Sequence, residues 1–273
     1  MCDTPFVKQV DTKHGLEVME FPCGKCLPCK QNNKKQWIFR LEREQLEAEI
    51  STFVTLTYEA EHLPFSYTER GREILSIEPT LDYRDVQKFF KRLRKRHPYN
   101  KELPIKYFVV GEYGTENSRP HYHTIIFNAQ EKDIVASWDK GMVHCGDVTI
   151  ASITYCLNYM DKGSNPPPGT KKEFRHMSKG LGESYIKHLA NQQKQKLDYV
   201  ATMEGHKLPL PKYYSRKIFS DVVRQARGKR IVAEVNKKRY IAMDNDPEYF
   251  FKETINKQGN AILKRSRAKI IRD

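Results

Sequence analysis

Two strand-like runs, KYFVVGEYG and HYHTIIFN, lie on either side of the segment TENSRP. The Asn, Ser and Pro of that segment favour a turn, so the pattern predicts an antiparallel β-hairpin. Alternate residues of a strand point to the same side, and His121 and His123 therefore share one face of the second strand. Antiparallel pairing would also bring Glu112 of the first strand beside the two imidazoles. The hairpin thus brings three metal-ligating side chains together.

Two histidines and a carboxylate are a typical ligand set for a divalent ion, and they leave coordination positions open for a phosphate and water. The hairpin pattern also has a plainer interpretation. His121 and His123 can be half-buried sheet residues without a ligand, and Glu112 can be a solvated residue near the turn. The metal interpretation therefore depends on what surrounds the hairpin.

A second group of chemically competent side chains lies in ASITYCLNYMDKG, which predicts a helix ending at Gly163. Tyr155 and Tyr159 are four residues apart and Lys162 follows three residues later, so the three side chains project together. A phenol can attack a phosphodiester when a metal polarises the phosphate and a cation stabilises the developing charge. The alternative is an amphipathic core stripe with its hydroxyls at the rim, and a lysine that complements the helix dipole.

The rest of the chain mixes strands and helices, which predicts an α+β fold. The run NNKKQWIFRLEREQLEAEI predicts a helix from about Asn32 to Ile50, and STFVTLTYEA predicts a central strand. Asp82 is the expected N-cap of the helix YRDVQKFFKRLRKRH. DIVASWDK predicts a short helix and GMVHCGDVTI a strand. KEFRHMSKGLGESYIKHLANQQ could be helical after its glycines, and HKLPLPKYYSRKIF predicts an extended arm punctuated by prolines.

The charge of the chain favours a polyanionic partner. Lys and Arg outnumber Asp and Glu by 48 to 34, a net charge of +14. Residues 207–273 hold 18 Lys or Arg against 7 Asp or Glu, which predicts a basic C-terminal extension. Nucleic acid is the first partner to consider, although solvated helix faces are also rich in lysine and arginine. The residues expected to contact DNA phosphates are Lys88, Lys91, Arg92, Arg94, Lys95 and Arg119.

The cellular compartment of the protein decides whether its cysteines are reduced thiols or disulfides. The sequence has neither an apolar run of membrane-spanning length nor a secretory signal pattern, so we expect a cytoplasmic protein without membrane association. Its cysteines would then be reduced, and Cys2, Cys23, Cys26 and Cys29 are candidate ligands of a structural zinc. The iron–sulfur pattern requires a further cysteine where Asn33 stands. Unligated thiols are the remaining alternative.

Three motifs in order, FVTLTY, GEYGTENSRPHYH and YCLNYMDK, resemble those of the rolling-circle replication initiators called HUH endonucleases. With PCGKCLPCK and VQKFFKRLRK, the chain is most similar to the initiators of gokushovirus-type single-stranded DNA phages. The resemblance implies an RRM-like, ferredoxin-like antiparallel sheet of about five strands flanked by helices. It also implies Mg²⁺ or Mn²⁺ on His121, His123 and Glu112, with Tyr155 and Tyr159 as nucleophiles and Lys162 beside them. Thr55 and Thr57 would lie on the strand beneath this site.

The resulting hypothesis is an endonuclease that nicks single-stranded DNA at a replication origin, forms a 5′-phosphotyrosine and later rejoins strands. The chain has no phosphate-binding G-x-x-x-x-G-K-[ST] motif, so strand separation would need a host helicase, followed by a polymerase. We predict a Cys-rich knuckle and helix in residues 1–50, the HUH core in residues 51–165 and the basic extension in residues 166–273. The alternatives are an HUH transposase or relaxase, and a non-catalytic, zinc-stabilised DNA-binding protein.

Overall fold

The computed structural model describes residues 2–12, 15–70, 73–97, 102–114, 117–158, 166–190, 198–202 and 205–246. Its strands are β1 (Phe6–Thr12), β2 (Gly15–Phe21), β3 (Ser51–Thr57), β4 (Phe65–Arg70), β5 (Glu73–Pro79), β6 (Lys106–Tyr113), β7 (Pro120–Phe127), β8 (Val143–Asp147), β9 (Phe174–Met177), β10 (Tyr199–Ala201) and β11 (Lys207–Pro209). Its α-helices are α1 (Leu27–Glu47), α2 (Tyr83–Arg96), α3 (Glu131–Ser137), α4 (Ile150–Asn158), α5 (Tyr185–Ala190), α6 (Lys212–Ile218) and α7 (Asp221–Asn245). Among the described residues, no helix combines the length and apolarity needed to cross a bilayer.

A five-stranded antiparallel sheet organises the middle of the chain, in the order β8-β3-β7-β6-β9. The predicted hairpin is confirmed as β6 and β7, and β3 is an interior strand with a partner on each side. The expectation of an α+β fold with about five antiparallel strands is thereby confirmed. The likeness to the RNA-recognition-motif topology stays a prediction.

Helices cover both faces of this sheet. On one face, Leu56 and Tyr122 pack with apolar residues of α2 and with Ile134 of α3. On the other face, Phe108 and Ile125 pack with apolar residues of α1 and α4. Side chains alternate across each strand, so the face that holds Ile125 also holds the two histidines of β7.

The helix α2 begins where the sequence predicts. The carboxylate of Asp82 accepts a hydrogen bond from the backbone N–H of Arg84 at 3.0 Å, which satisfies an otherwise unpaired donor of the first turn. The hydroxyls of Tyr58 and Tyr122 lie 2.8 Å apart, and the Tyr58 hydroxyl donates to Asp85 of the same helix. This buried network fixes the start of α2 against the sheet.

Several elements differ from the sequence-based predictions. The first 30 residues contain the hairpin β1–β2, and α1 begins at Leu27 instead of about Asn32. Strand β9 lies where no strand was predicted, because an edge strand of four residues is too short to show a period. The prediction of an extended arm is wrong for α6, whose N-cap is Pro211, a residue whose fixed φ suits the start of a helix.

The chain divides into two compact units, one of Met1–Gln36 with Leu189–Asp273 and one of Trp37–His188. The second unit is larger than the predicted 51–165 core, because it includes most of α1 and the strand β9. Within the first unit, the helix α7 carries Arg227 and Arg230, which form ion pairs with Asp198. Part of the positive charge predicted to be available for a partner is therefore neutralised within the fold.

Candidate metal and tyrosine site

The hairpin β6–β7 brings the three predicted metal ligands together. Glu112 is paired with His121 across the two strands, and His123 lies two residues further along the same face. One ligand atom from each of the three side chains lies within 4.8 Å of the others. An octahedral Mg²⁺ with bonds of about 2.1 Å holds its ligands roughly 3 to 4 Å apart. The cluster is therefore compatible with metal binding after a small closure, while the identity of the ion stays a prediction.

Neighbouring oxygens orient both imidazoles. Nδ1 of His121 lies 3.1 Å from the backbone oxygen of Arg119, and because a carbonyl only accepts, this nitrogen must carry the proton. The lone pair is then on Nε2. The Thr55 hydroxyl lies 3.0 Å from Nδ1 of His123 and can hold that ring in the same tautomer. Such contacts to the second ring nitrogen are usual for histidines that bind metals.

Burial keeps His123 in the form that a metal requires. This side chain is 8% exposed, and Phe53 of β3 stacks on its ring at a centroid distance of 5.8 Å. Burial, with a smaller contribution from the nearby His121, lowers the pKa of His123 to about 4. The imidazole is therefore neutral at pH 7, and a neutral ring has a lone pair to donate.

Tyr155 of α4 faces this cluster. Its hydroxyl oxygen lies 3.4 Å from Nε2 of His123, and the two rings meet edge-on with centroids 4.8 Å apart. The phenol is 46% exposed, so a ligand can reach it from solvent. Burial raises the pKa of Tyr155, with smaller contributions from Glu112 and Cys156, so the phenol is protonated at neutral pH. It must lose this proton during any attack on phosphorus.

A local capping arrangement fixes the orientation of α4. The Ser152 hydroxyl accepts a hydrogen bond from the backbone N–H of Thr149 at 2.8 Å, and the Thr149 hydroxyl accepts one from the N–H of Ser152 at 3.2 Å. This reciprocal pair satisfies donors at the start of the helix. Ile153 and Leu157 then bury one face of α4 in the core, which leaves Tyr155 directed at the histidines.

The remaining predicted site residues have different placements. Tyr159 and Lys162 lie outside the described residues. Arg119 is exposed beside the site and donates to the backbone oxygen of Tyr58 at 2.7 Å. Arg92 pairs with Asp139 at 2.5 Å. The exposed residues of the basic group on α2, which covers the opposite face of the sheet, are Lys88, Lys91, Arg94 and Lys95.

Phe53 was not identified as a neighbour of the site from the sequence, and Thr55 was expected on the strand beneath the site without a contact being predicted for it. The ring of Phe53 and the hydroxyl of Thr55 both contact His123. They occupy alternate positions of β3, which the sequence assigns to one face, but the register that sets Thr55 opposite His123 is visible only once the strands are paired. The alternation of residues along β3 was the available signal. It shows which side of the sheet a residue faces, but not which residue of the neighbouring strand lies opposite it.

The four cysteines predicted to bind zinc form a second cluster, within the other compact unit. Their sulfur atoms lie within 4.8 Å of one another, and those of Cys2 and Cys26 are 3.7 Å apart. A tetrahedral zinc with bonds of about 2.3 Å separates its sulfurs by roughly 3.8 Å. Hydrogen bonds from the Thr4 hydroxyl and from the backbone N–H groups of Lys25 and Cys26 lower the pKa of Cys23 to about 5. A lowered pKa favours the thiolate of Cys23, the form that binds metal, whereas burial raises the pKa of Cys2 and raises that of Cys29 to about 12.

Comparison with known proteins adds a family context. The model of a protein family whose description names the replication-associated protein ORF2 matches residues 51–164. Replication-associated protein ORF2 of Spiroplasma virus 4 is 29% identical over 89% of this chain and 83% of its own length. Replication-associated protein VP4 of Bdellovibrio phage phiMH2K is 28% identical over 73% of this chain and 67% of its own. Replication-associated protein ORF4 of Chlamydia phage 1 is 25% identical, over 78% of this chain and 58% of its own.

No solved structure gives a significant match to the chain. The matched region holds β3, the hairpin β6–β7 and α4, which together carry every described residue of the metal and tyrosine site. The predicted resemblance to the replication proteins of small phages is confirmed.

Proposed function

We propose, from this similarity to phage replication-associated proteins, that the chain initiates replication by cutting one DNA strand at an origin. Tyr155 is the proposed nucleophile, and the product is a protein joined to the 5′ end of the cut strand. One observation carries the proposal. The Tyr155 hydroxyl lies 3.4 Å from Nε2 of His123, on the side where the ligand atoms of Glu112, His121 and His123 converge. A phosphate held by those ligands would be within reach of the phenol.

The reaction exchanges one phosphoester for another. The Tyr155 oxygen forms a bond to phosphorus and loses its proton, while the bond from phosphorus to the 3′ oxygen breaks and that oxygen takes up a proton. The products are a 5′-phosphotyrosine and a free 3′-hydroxyl, which a polymerase can extend. Because the new ester keeps the energy of the old one, attack by a 3′-hydroxyl on the phosphotyrosine rejoins the strands.

His121, His123 and Glu112 are the proposed ligands of Mg²⁺ or Mn²⁺. Such an ion would polarise the phosphate and stabilise negative charge on its oxygens. Tyr159 is the proposed second nucleophile, since it follows Tyr155 by four residues, and Lys162 is the proposed cation beside them. Two nucleophiles would let one hold the first end while the other makes the next cut.

The proposed DNA contacts fall into two groups. Arg119 is beside the site, where it can hold the strand being cut. The second group lies on α2, on the other side of the sheet, and consists of Lys88, Lys91, Arg92, Arg94 and Lys95. Phosphates bound by this group would belong to a different stretch of DNA. A host helicase and polymerase are proposed to act on the strand once it is nicked, in the cytoplasm of the infected cell.

Covalent labelling tests the proposal. The full chain is incubated with Mn²⁺ and a set of overlapping single-stranded oligonucleotides that tile the genome encoding it, each labelled at its 3′ end. We expect one or a few oligonucleotides to give a labelled protein band that survives boiling in detergent. The same oligonucleotides labelled at their 5′ ends should release a free fragment that a polymerase extends. DNA binding without any adduct across the whole set would instead support a non-catalytic DNA-binding protein.

A structural zinc on Cys2, Cys23, Cys26 and Cys29 is the second proposed cofactor. Cys2 precedes β1, Cys23 and Cys26 follow β2, and Cys29 lies in the first turn of α1. One ion would therefore tie the start of the chain and the end of the hairpin to the start of the helix. Backbone N–H groups already point at these sulfurs, including that of Asp3 toward Cys26 at 3.4 Å.

Metal analysis tests this cofactor. The purified chain should contain one zinc per molecule by plasma mass spectrometry, and Cys26→Ser should lower the zinc content at least tenfold by replacing a thiolate ligand. Cys145→Ser is the matched control, because Cys145 lies in β8 outside the cluster, and it should keep its zinc. Iron in place of zinc, or an unchanged zinc content in Cys26→Ser, would contradict the assignment.

A further inference from the structure

We propose that an open strip of the sheet beside Tyr155 binds the bases of single-stranded DNA next to the phosphate that is cut. The open strip is defined by Thr55 and Thr57 of β3, Met142, and His144 of β8. The inference rests on the proposed function, since it assigns a surface to the same substrate. It names the residues that hold the nucleotides adjacent to the reacting bond.

Strand register places the open strip on the same face as the metal ligands. Thr55 is paired with His123 on one side and with His144 on the other. Directly opposed residues of paired strands point to the same side of a sheet. His144 therefore shares the face of His123, with Thr55 between them. Val143 and Cys145 alternate with His144 and pack against the core of the opposite face.

Within the described part of the chain, helices cover only part of this face. On β6 and β7, the same face is closed by α1 and α4, and Phe108, Val110 and Ile125 have no exposed surface. On β8, His144 is exposed, and Met142, just before the strand, is 72% exposed. The open strip thus begins where the helical layer ends, and Tyr155 marks its boundary.

The chemistry of the open strip suits nucleobases. The imidazole of His144 offers a flat ring and Met142 a polarisable thioether, and bases stack on such groups with little regard to sequence. Gly146, two residues after His144 on the same face, has no side chain that would compete with a base. Asp147, the acidic residue of β8, is paired with Thr52 and so belongs to the other face.

The positive charge at the rim of the open strip, and the continuity of the strip with the tyrosine site, favour DNA over a protein as its ligand. The exposed guanidinium of Arg119 is held at the rim of the open strip by the backbone oxygen of Tyr58, next to Thr57. A cation at the rim can bind the backbone phosphate of a strand whose bases lie on the strip. The strip also leads directly to Tyr155, so a strand that lies on it delivers its phosphate to the phenol.

The test is the affinity for dye-labelled oligo(dT) of 20 nucleotides, measured by fluorescence anisotropy in EDTA so that no cleavage occurs. We expect His144→Ala to weaken binding about tenfold, the loss typical of one stacked base. His144→Phe keeps a flat ring and should bind within about twofold of the unaltered chain. The matched control is His176→Ala, an exposed histidine on the other edge strand that is paired with Val109 and so faces the opposite side.

The outcomes separate this inference from the proposed function. Equal losses in His144→Ala and His176→Ala, or no loss in either, would overturn the open strip as the binding surface, whether or not the unaltered chain forms the covalent adduct. A loss confined to His144→Ala, with the affinity restored in His144→Phe, would support it even if no adduct forms. The Mn²⁺ affinity of His144→Ala, measured by electron paramagnetic resonance, should equal that of the unaltered chain, because His144 is not a ligand.

Discussion

We expect a chain with both Tyr155→Phe and Tyr159→Phe to form no covalent adduct with 3′-labelled single-stranded DNA, yet to bind that DNA with unchanged affinity. Removing the hydroxyl deletes the atom proposed to attack phosphorus, and the aromatic ring that packs against His123 is retained. We expect the rate of adduct formation to fall by at least about a thousandfold, which corresponds to roughly 4 kcal/mol of activation free energy. The measurement is the labelled protein band after boiling in detergent.

The single variants and a matched control sharpen this result. Tyr155→Phe alone should remove the peptide that contains residue 155 from the labelled digest, and any adduct that remains should map to Tyr159. Tyr67→Phe is the control, because Tyr67 is 62% exposed on β4, outside the site, and it should form the adduct at the normal rate. An undiminished adduct in the double variant would exclude both tyrosines as the nucleophile.

The sequence was sufficient for the elements whose pattern is local. Asp82 caps α2 through its own side chain, and the turn residues between β6 and β7 set the hairpin that brings Glu112 to His121. In each case the predicted contact depends on residues that are close in sequence, where backbone geometry alone fixes the arrangement.

Contacts between segments that are far apart in the sequence could not be predicted from local patterns. Thr55 and His123 are 68 residues apart, and their hydrogen bond depends on which strands pair and in what register. Strand β9 and the hairpin β1–β2 were missed for a related reason. Four residues are too few to show alternation, and Val7 and Val18 are exposed on the hairpin instead of marking a buried face.

In the proposed metal site the two histidines would have different parts, because only one of them is buried. His123 is neutral because it is buried, and it therefore offers a lone pair at any pH near 7. His121 is more accessible and is oriented by a backbone carbonyl, so it would complete the proposed ligand set on the side open to solvent. A buried ligand fixes the position of the ion, and an accessible one leaves room for a phosphate. On the strand face that carries the two histidines of H-Y-H, His123 is the buried residue and His121 is the accessible one.

His121→Ala is expected to abolish cleavage by removing a metal ligand while leaving the fold intact, because the side chain is only partly buried. The rate of adduct formation should fall at least about a thousandfold, and the affinity for Mn²⁺ should fall at least about a hundredfold, beyond the effect typical of residues that merely orient a ligand. Mn²⁺ binding is measured by electron paramagnetic resonance without DNA, so the result does not depend on activity. The control is His62→Ala, which changes an exposed histidine of the short 3₁₀ helix at Ala60–His62 and should leave Mn²⁺ binding normal.

If His121→Ala keeps full Mn²⁺ affinity but loses cleavage, His121 acts on the DNA and not on the ion. If it keeps both, the hairpin is not the catalytic centre, and the approach of Tyr155 to His123 is only packing.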